Sequence, residues 1–356
     1  MKNANKTGII AVTGATGYVG GRLVPQLLEA GYNVRCIVRN SEALDDRSWR
    51  SKVEVYKADL SLKDQVIEAL NGVEKAYYLV HSMAASSNFE DLESSMAEIF
   101  SKAADINKIK QIVYLGGLGE DEKNHSPHLT SRHKVGKILS NGSTPVTELR
   151  AAIIIGSGSA SFEMLRSLVE VLPIMVVPKW VTQTRCQPVA ISDILFYLVS
   201  VLDNDKTLGK IIDVGGPDIL TYREMMHTYA QVAGLKKRII IPVPVLTPRL
   251  SSHWVNLTSP LPIRLARSLI DSLTSDVVVS NNPISAVLNH DAENLHNSIG
   301  RALTRVQNLQ IPTRWSNSVK SQIAELPELS DPEWSGGRVL IDSREQKSLV
   351  TGKKVM

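Results

Sequence analysis

The segment Thr13-Gly14-Ala15-Thr16-Gly17-Tyr18-Val19-Gly20 constrains the fold more than any other part of the chain. It leaves a short apolar run, Gly8–Thr13, that reads as a buried strand. It then opens a helical pattern over Tyr18–Ala30 that Gly31 closes. In a strand–turn–helix context each glycine has its own task. Gly14 permits the tight turn, Gly17 lets the backbone approach a pyrophosphate, and Gly20 lets helix and sheet pack closely. The helix N-terminus offers unpaired N–H groups and a positive dipole end to the phosphates. The segment predicts a dinucleotide site at the head of a βαβ series.

The following residues sustain that series. Asn33–Val38, Val53–Lys57, Ala76–Val80, Gln111–Leu115 and Glu148–Ile155 read as strands. Helical patterns over Leu62–Leu70, Phe89–Ala104 and Thr130–Leu139 lie between them. Strands alternating with helices of this length imply an α/β fold, a doubly wound parallel Rossmann sheet covered on both faces. Ser159–Leu172 and Ser192–Leu202 read as helices and Lys210–Val214 as a strand. Thr221 and Glu224 have the spacing of a capping box that opens a helix to about Ala233. Prolines at 242, 244, 248, 260 and 262 then break the chain into short pieces, which predicts a small, irregular, mostly helical lobe. Residues 1–155 are expected to form the dinucleotide-binding domain, with 187–220 returning to it. Residues 156–186 and 221–325 would form the substrate lobe, and 326–356 a loosely held polar tail.

The end of the second strand bears on cofactor choice. An acidic residue there would accept hydrogen bonds from the adenosine ribose. This chain has Arg39 at that place, and a guanidinium suits a 2′-phosphate, which favours NADP(H) over NAD(H). Ser41 adds a hydroxyl, and Arg22 is close enough in sequence to the loop to reach the same phosphate. A plain surface arginine at a strand end is the alternative for Arg39. Asp59 and Leu60, just past the third strand, are placed to line the adenine pocket.

Composition narrows the partners. Forty Lys+Arg against 36 Asp+Glu leave +4, with the basic residues scattered and no cluster longer than Lys236-Lys237-Arg238, so nucleic acid is not expected. The start has no apolar h-region, and no apolar stretch approaches the ~18–20 residues a bilayer span needs. Val169–Val181, interrupted by Glu170, Pro173, Pro178 and Lys179, reads as buried core, with interfacial membrane contact as the alternative. Leu172-Pro173, Met175, Val177-Pro178 and Trp180 are either ordinary core or the lining of an apolar substrate pocket. Cys36 and Cys186 have no CxxC partner and read as two reduced thiols of a cytoplasmic protein. His125, His128 and His133 lack a closed tetrahedral ligand set, so no metal is expected. Arg150 and Asp193 read as a structural pair of strand end and helix start.

Thr13–Gly20 resembles the glycine motif of the extended and atypical short-chain dehydrogenase/reductases. Within them the chain resembles the NAD(P)H-binding group that includes NmrA-like regulators and the NDUFA9-like subunit of complex I. Tyr77–Met83, Val113–Gly119, Ser126–Arg132, Glu148–Arg150, Val189–Ile194 and Gly215–Thr221 agree with that group in order. The resemblance covers about residues 7–325. It adds Val80 and His81, at the end of the fourth strand, and Gly116, at the end of the fifth, to the expected cofactor site. Members of the group often continue into a further C-terminal domain, which the resemblance implies is lost or vestigial after Asp331–Gly337.

The usual reductases of this kind use a Tyr as proton donor, a Lys four residues later, and a Ser after the fifth strand. Hydride delivery to a carbonyl creates an alkoxide that must be protonated. Here the Ser position reads Gly116-Gly117, and the Tyr and Lys positions fall on His128 and Arg132. Either His128 acts as the acid with Arg132 as electrostatic support and ribose ligand, or His128 is a loop histidine after a proline. His81 is a second candidate acid, or simply a strand cap. Two functions follow: an NADPH-dependent oxidoreductase on a small apolar carbonyl or unsaturated substrate, or a non-catalytic NADP(H)-sensing or structural binding protein that works through a protein partner. A third, that a lost domain supplied the substrate site, fits the short C-terminus. A cavity at the nicotinamide end of the site favours the oxidoreductase.

Overall fold

Strands Ile9–Thr13 (β1), Asn33–Val38 (β2), Glu54–Lys57 (β3), Val73–Tyr78 (β4), Gln111–Gly117 (β5) and Val146–Ala151 (β6) form one parallel sheet. In this computed structural model the described residues are 7–81, 89–119, 127–243, 270, 271, 273, 275–279, 283–308, 311–314 and 316. The short strands Ile154–Ile155 (β7), Ile174–Pro178 (β8), Arg185–Cys186 (β9) and Val189–Ala190 (β10) follow. Ile211–Val214 (β11), Leu220–Thr221 (β12) and Ile239–Val243 (β13) complete the strands. The main sheet runs β11-β6-β5-β4-β1-β2-β3, and all its pairs are parallel. Strand order reverses between β1 and β4, which puts a ligand crevice at their carboxyl ends.

Helices cover both faces. Gly20–Glu29 (α1), Lys63–Ala69 (α2), Phe89–Ile106 (α3) and Pro127–Ser140 (α4) belong to the first half. Ala160–Val171 (α5), Ile191–Ser200 (α6), Tyr222–Val232 (α7) and Leu295–Gln307 (α8) belong to the second. Alternation along β1 divides the core. Ile10 and Val12 pack with Leu23 and Leu27 of α1 and Ile194 and Leu198 of α6. Ala11 faces the opposite layer, with Phe100 of α3 and Val135 of α4. A third cluster joins Phe162 of α5, Met225 and Tyr229 of α7 and Ile299 of α8.

Several expectations are corrected. Glu148–Ile155 is two strands, because the chain leaves the main sheet after Ala151 and Ile154–Ile155 pairs with β10 instead. Val169–Val181 is not wholly buried. Met175 and Val177 of β8 point inward, while Ile174 and Val176 are exposed at 55% and 57%. Arg150 and Asp193 are not paired. Arg150 donates to Glu148 at 2.8 Å, and Asp193 accepts from the Glu293 amide and contacts the His290 ring, both at 2.9 Å. No helix among the described residues is long and apolar enough to cross a membrane. Residues 326–356 lie outside the described residues.

Candidate functional site

A cleft of about 330 Å³ opens at the carboxyl ends of the sheet strands. Its floor is the glycine loop. Gly14 has φ +72°, and a Cβ there would fall 2.5 Å from the Leu79 carbonyl oxygen. A Cβ on Gly20 would fall 2.2 Å from the Gly14 carbonyl oxygen. Side chains at either position would push the loop away from β4 and from α1. No side chain caps α1 and no acidic residue stands in its first turn. Its dipole is therefore left for an anion. The cradle fits a dinucleotide pyrophosphate.

Gly14, Thr16, Gly17, Tyr18, Val19 and Gly20 all line the cleft. Thr13 does not. It is fully buried, donating to the Tyr77 carbonyl at 3.0 Å and accepting from the Leu79 amide at 3.1 Å, so it staples β1 to β4 behind the loop. Arg39 and Asn40 line the cleft past β2, and Asp59 and Leu60 past β3. The Asp59 carboxylate accepts from the Ser61 amide and hydroxyl at 2.9 and 2.7 Å, which fixes this turn. Ser41 follows Asn40 but is not among the lining residues. Arg22 is buried, is not among the lining residues, and donates to Ser157 and Thr313.

At the other end, Val80 and His81 line the cleft beyond β4. The His81 ring lies 5.9 Å from that of Tyr114. At the end of β5 the cleft is lined by Gly117 and, just past it, Leu118, and not by Gly116. A Cβ at Gly116 would meet Glu148 Oε1 at 2.7 Å, and one at Gly117 would meet Leu129 at 2.4 Å. A serine at either position would require the end of the Glu148 or Leu129 side chain to move aside. Arg132 of α4 lines the cleft, and its buried Nε has no hydrogen-bond partner among the described residues. His128 stands in the first turn of α4, with its side chain outside the described residues, as is His125. His133 is buried, its Nε2 3.0 Å from the Gly117 carbonyl oxygen, and serves packing.

The cleft does not end at the sheet. Ile153, Ser161, Tyr222 and Leu273 line it and also a second, apolar chamber of about 170 Å³. Met164, Met175, Trp180, Met225 and Met226 complete that chamber's character. Of the two readings of Met175, Val177 and Trp180, core or pocket wall, both hold: they pack in the second lobe and face a cavity. Tyrosines here are poor acids. Burial pushes the Tyr18 phenol up to about 12 and the Tyr222 phenol well above its ordinary value. The sequence reading missed Tyr222, because an aromatic residue opening a capped helix looks like core. Its signal was the Thr221–Glu224 capping box, which fixes the backbone that carries it.

Residues 14–152 match the family described as NAD(P)H-binding. The mitochondrial NADH dehydrogenase (ubiquinone) 1 alpha subcomplex subunit 9 of Arabidopsis thaliana is 26% identical, over 78% of this chain and 73% of its own length. Among solved structures, the triphenylmethane reductase of Citrobacter sp. complexed with NADP(H) superposes with TM-score 0.65 at 20% identity. That match covers 82% of this chain and 99% of the reductase. The NADPH-dependent quinone oxidoreductase of Escherichia coli complexed with NADPH gives TM-score 0.65 at 17% identity, over 83% of this chain and 99% of its own. These two likenesses speak to the fold.

Proposed function

We propose that this chain, whose residues 14–152 match the NAD(P)H-binding family, is an NADPH-dependent oxidoreductase of the short-chain dehydrogenase/reductase type. Its substrate is a small apolar carbonyl or unsaturated compound, and its proton donor is not the usual tyrosine. The observation that carries this reading is that the cofactor cleft and the apolar chamber adjoin, sharing Ile153, Ser161, Tyr222 and Leu273 in their walls. A protein that used the dinucleotide only as a structural ligand would have no need of an apolar chamber at the far end of the cleft.

Reduced nicotinamide supplies a hydride, and the carbon skeleton that receives it must then gain a proton. With Tyr18 and Tyr222 pushed up by burial, histidine is the better donor near neutral pH. His81 lines the cleft and is part exposed, so it recovers its proton from solvent. His128 at the head of α4 is the other candidate. Arg132, which lines the same cleft as His81, stabilises negative charge that develops on a carbonyl oxygen. Arg39, exposed at the end of β2, supports NADP(H) over NAD(H) by its charge. Cys36 and Cys186 are buried and form no disulfide, which suits a reducing compartment such as the cytoplasm.

The test is loss of NADPH absorbance in a screen of apolar ketones, aldehydes and enones, with His81→Gln and His128→Gln alongside. Turnover that one of these variants cuts by about a hundredfold or more supports the reading. NADPH binding without turnover of any compound would overturn it in favour of a second one. That alternative, a non-catalytic NADP(H)-sensing or structural protein with a protein partner, draws on Gly116 and Gly117, which stand where the usual reductases carry a serine. The likeness to a subunit of NADH dehydrogenase over 78% of the chain also favours it.

A further inference from the structure

Two buried hydrogen-bond donors, on side chains that line the apolar chamber, stand without partners among the described residues. They are the Tyr222 hydroxyl and the Trp180 indole N–H. Their rings meet edge to face with centroids 6.2 Å apart. Tyr222 is only 2% exposed and lines both cavities, and Trp180 lines the apolar one. Of the polar groups around them, His227 Nδ1 on α7 is also without a partner among the described residues, but two others are satisfied. The Tyr229 hydroxyl donates to Glu170 at 2.7 Å, and the Cys186 thiol to the Leu220 carbonyl at 3.4 Å. A buried donor without an acceptor is costly, so a chain that keeps two of them beside a cavity has room for a ligand that supplies the acceptor.

We propose that Tyr222 and Trp180 are the polar anchor of a substrate site for a neutral, apolar ring compound bearing one acceptor oxygen, a cyclic or aryl ketone being the simplest. The chamber wall supports each part of that description. Among the described residues that line it none is charged, so there an anionic or cationic substrate would lose its hydration without compensation. Met164, Met175, Met225 and Met226 supply flexible, polarisable contacts suited to a flat ring. About 170 Å³ accommodates one or two fused rings rather than a long chain. Burial holds the Tyr222 phenol protonated, so it binds the oxygen as a donor and does not compete with a histidine for proton transfer.

The inference rests on reading this chamber as the substrate side of the cofactor cleft, and binding tests it independently of turnover. The probes are α-tetralone and tetralin, the same bicyclic body with and without the oxygen, titrated calorimetrically into the full chain with and without NADPH. The wild type is expected to bind α-tetralone about five- to tenfold more tightly than tetralin. Tyr222→Phe should erase that preference, keep the tetralin affinity and leave the melting temperature of the ligand-free protein undiminished. Trp180→Phe should reduce the preference and serves as the second variant should Tyr222→Phe fold poorly. Equal affinity for the two probes, no binding of either, or a preference that survives both variants would overturn the proposal. Tetralone binding that depends on Tyr222 but never oxidises NADPH would sink the oxidoreductase reading and leave this site standing. Ketone turnover with an unchanged KM in Tyr222→Phe would do the reverse.

Discussion

Arg22 donates from Nε to the Thr313 hydroxyl at 2.8 Å, tying the helix behind the glycine loop to a residue 291 positions later. The same guanidinium donates to the carbonyls of Ser157 at 2.6 Å and Thr313 at 3.2 Å. Thr313 in turn donates to the Tyr18 carbonyl at 2.8 Å, and the guanidinium lies over the Tyr18 ring, 4.5 Å from its centroid. Three separate segments thus meet under the loop that is to hold the cofactor. An arginine that the sequence offered as a phosphate ligand is a clamp that sets the loop's shape.

Arg22→Ala should therefore destabilise the fold by about 2–3 kcal/mol, because charged hydrogen bonds are lost and buried carbonyls are left without donors. Thermal melting reads the loss. Affinity for NADPH and NADH should fall together, since the loop serves both. A selective loss of NADPH would show that Arg22 touches the 2′-phosphate after all.

Arg39→Asp should behave in the opposite way. Arg39 is exposed at the end of β2, where little of the fold depends on it. The melting temperature should scarcely move, while NADPH affinity drops by roughly tenfold or more relative to NADH through loss of a charge-assisted contact and gain of repulsion. Titration with both nucleotides decides it. Equal losses would remove the reason for preferring NADP(H).

The strands and helices around the loop were legible because each carries a local signal. Apolar β-branched runs such as Ile9–Thr13 can only be buried strands, and Gly31, in the left-handed region at φ +84°, closes α1. The break between β6 and β7 was not legible, since Ala151 to Ile155 is uniformly apolar and nothing in it marks a change of partner strand. The role of the Thr13 hydroxyl was not legible for a related reason. Its place in the motif suggested a ligand, but its hydroxyl is taken up across the sheet by residues more than sixty positions away, 64 in the case of Tyr77. The chamber beyond Tyr222 was invisible because it is made by α5, α7 and β8 meeting, and no single segment encodes that meeting.

Gly117→Ser would restore the residue type that the usual reductases carry after the fifth strand, yet here it should weaken the protein. The new Cβ would stand 2.4 Å from Leu129 Cδ1 and 3.3 Å from Arg132 Cδ. Overpacking of this kind costs about 1–3 kcal/mol, and the displacement of α4 would carry Arg132 with it. We expect a lower melting temperature and no gain in NADPH oxidation with any carbonyl. A stable, faster variant would mean that α4 adjusts easily and that the missing serine limits the chemistry.

The acid response of α7 follows from the capping box that presents Tyr222. Glu224 accepts from the Thr221 amide at 2.7 Å and from its hydroxyl at 2.8 Å, and the Glu224 amide donates back to that hydroxyl at 3.3 Å. The Thr221 amide and then its hydroxyl hold the Glu224 carboxyl below the usual glutamate value. A folded pKa lower than the unfolded one contributes stability above the ordinary glutamate range and forfeits it as pH falls through the folded value. Thr221→Ala removes the cap and should cost about 1 kcal/mol near neutrality. The melting-temperature gap between Thr221→Ala and the wild type should narrow once the solution is acid enough to protonate Glu224. A gap that stays constant from neutral to acid pH would mean that the threonine hydroxyl alone caps the helix and that the carboxylate contributes nothing to the placement of Tyr222.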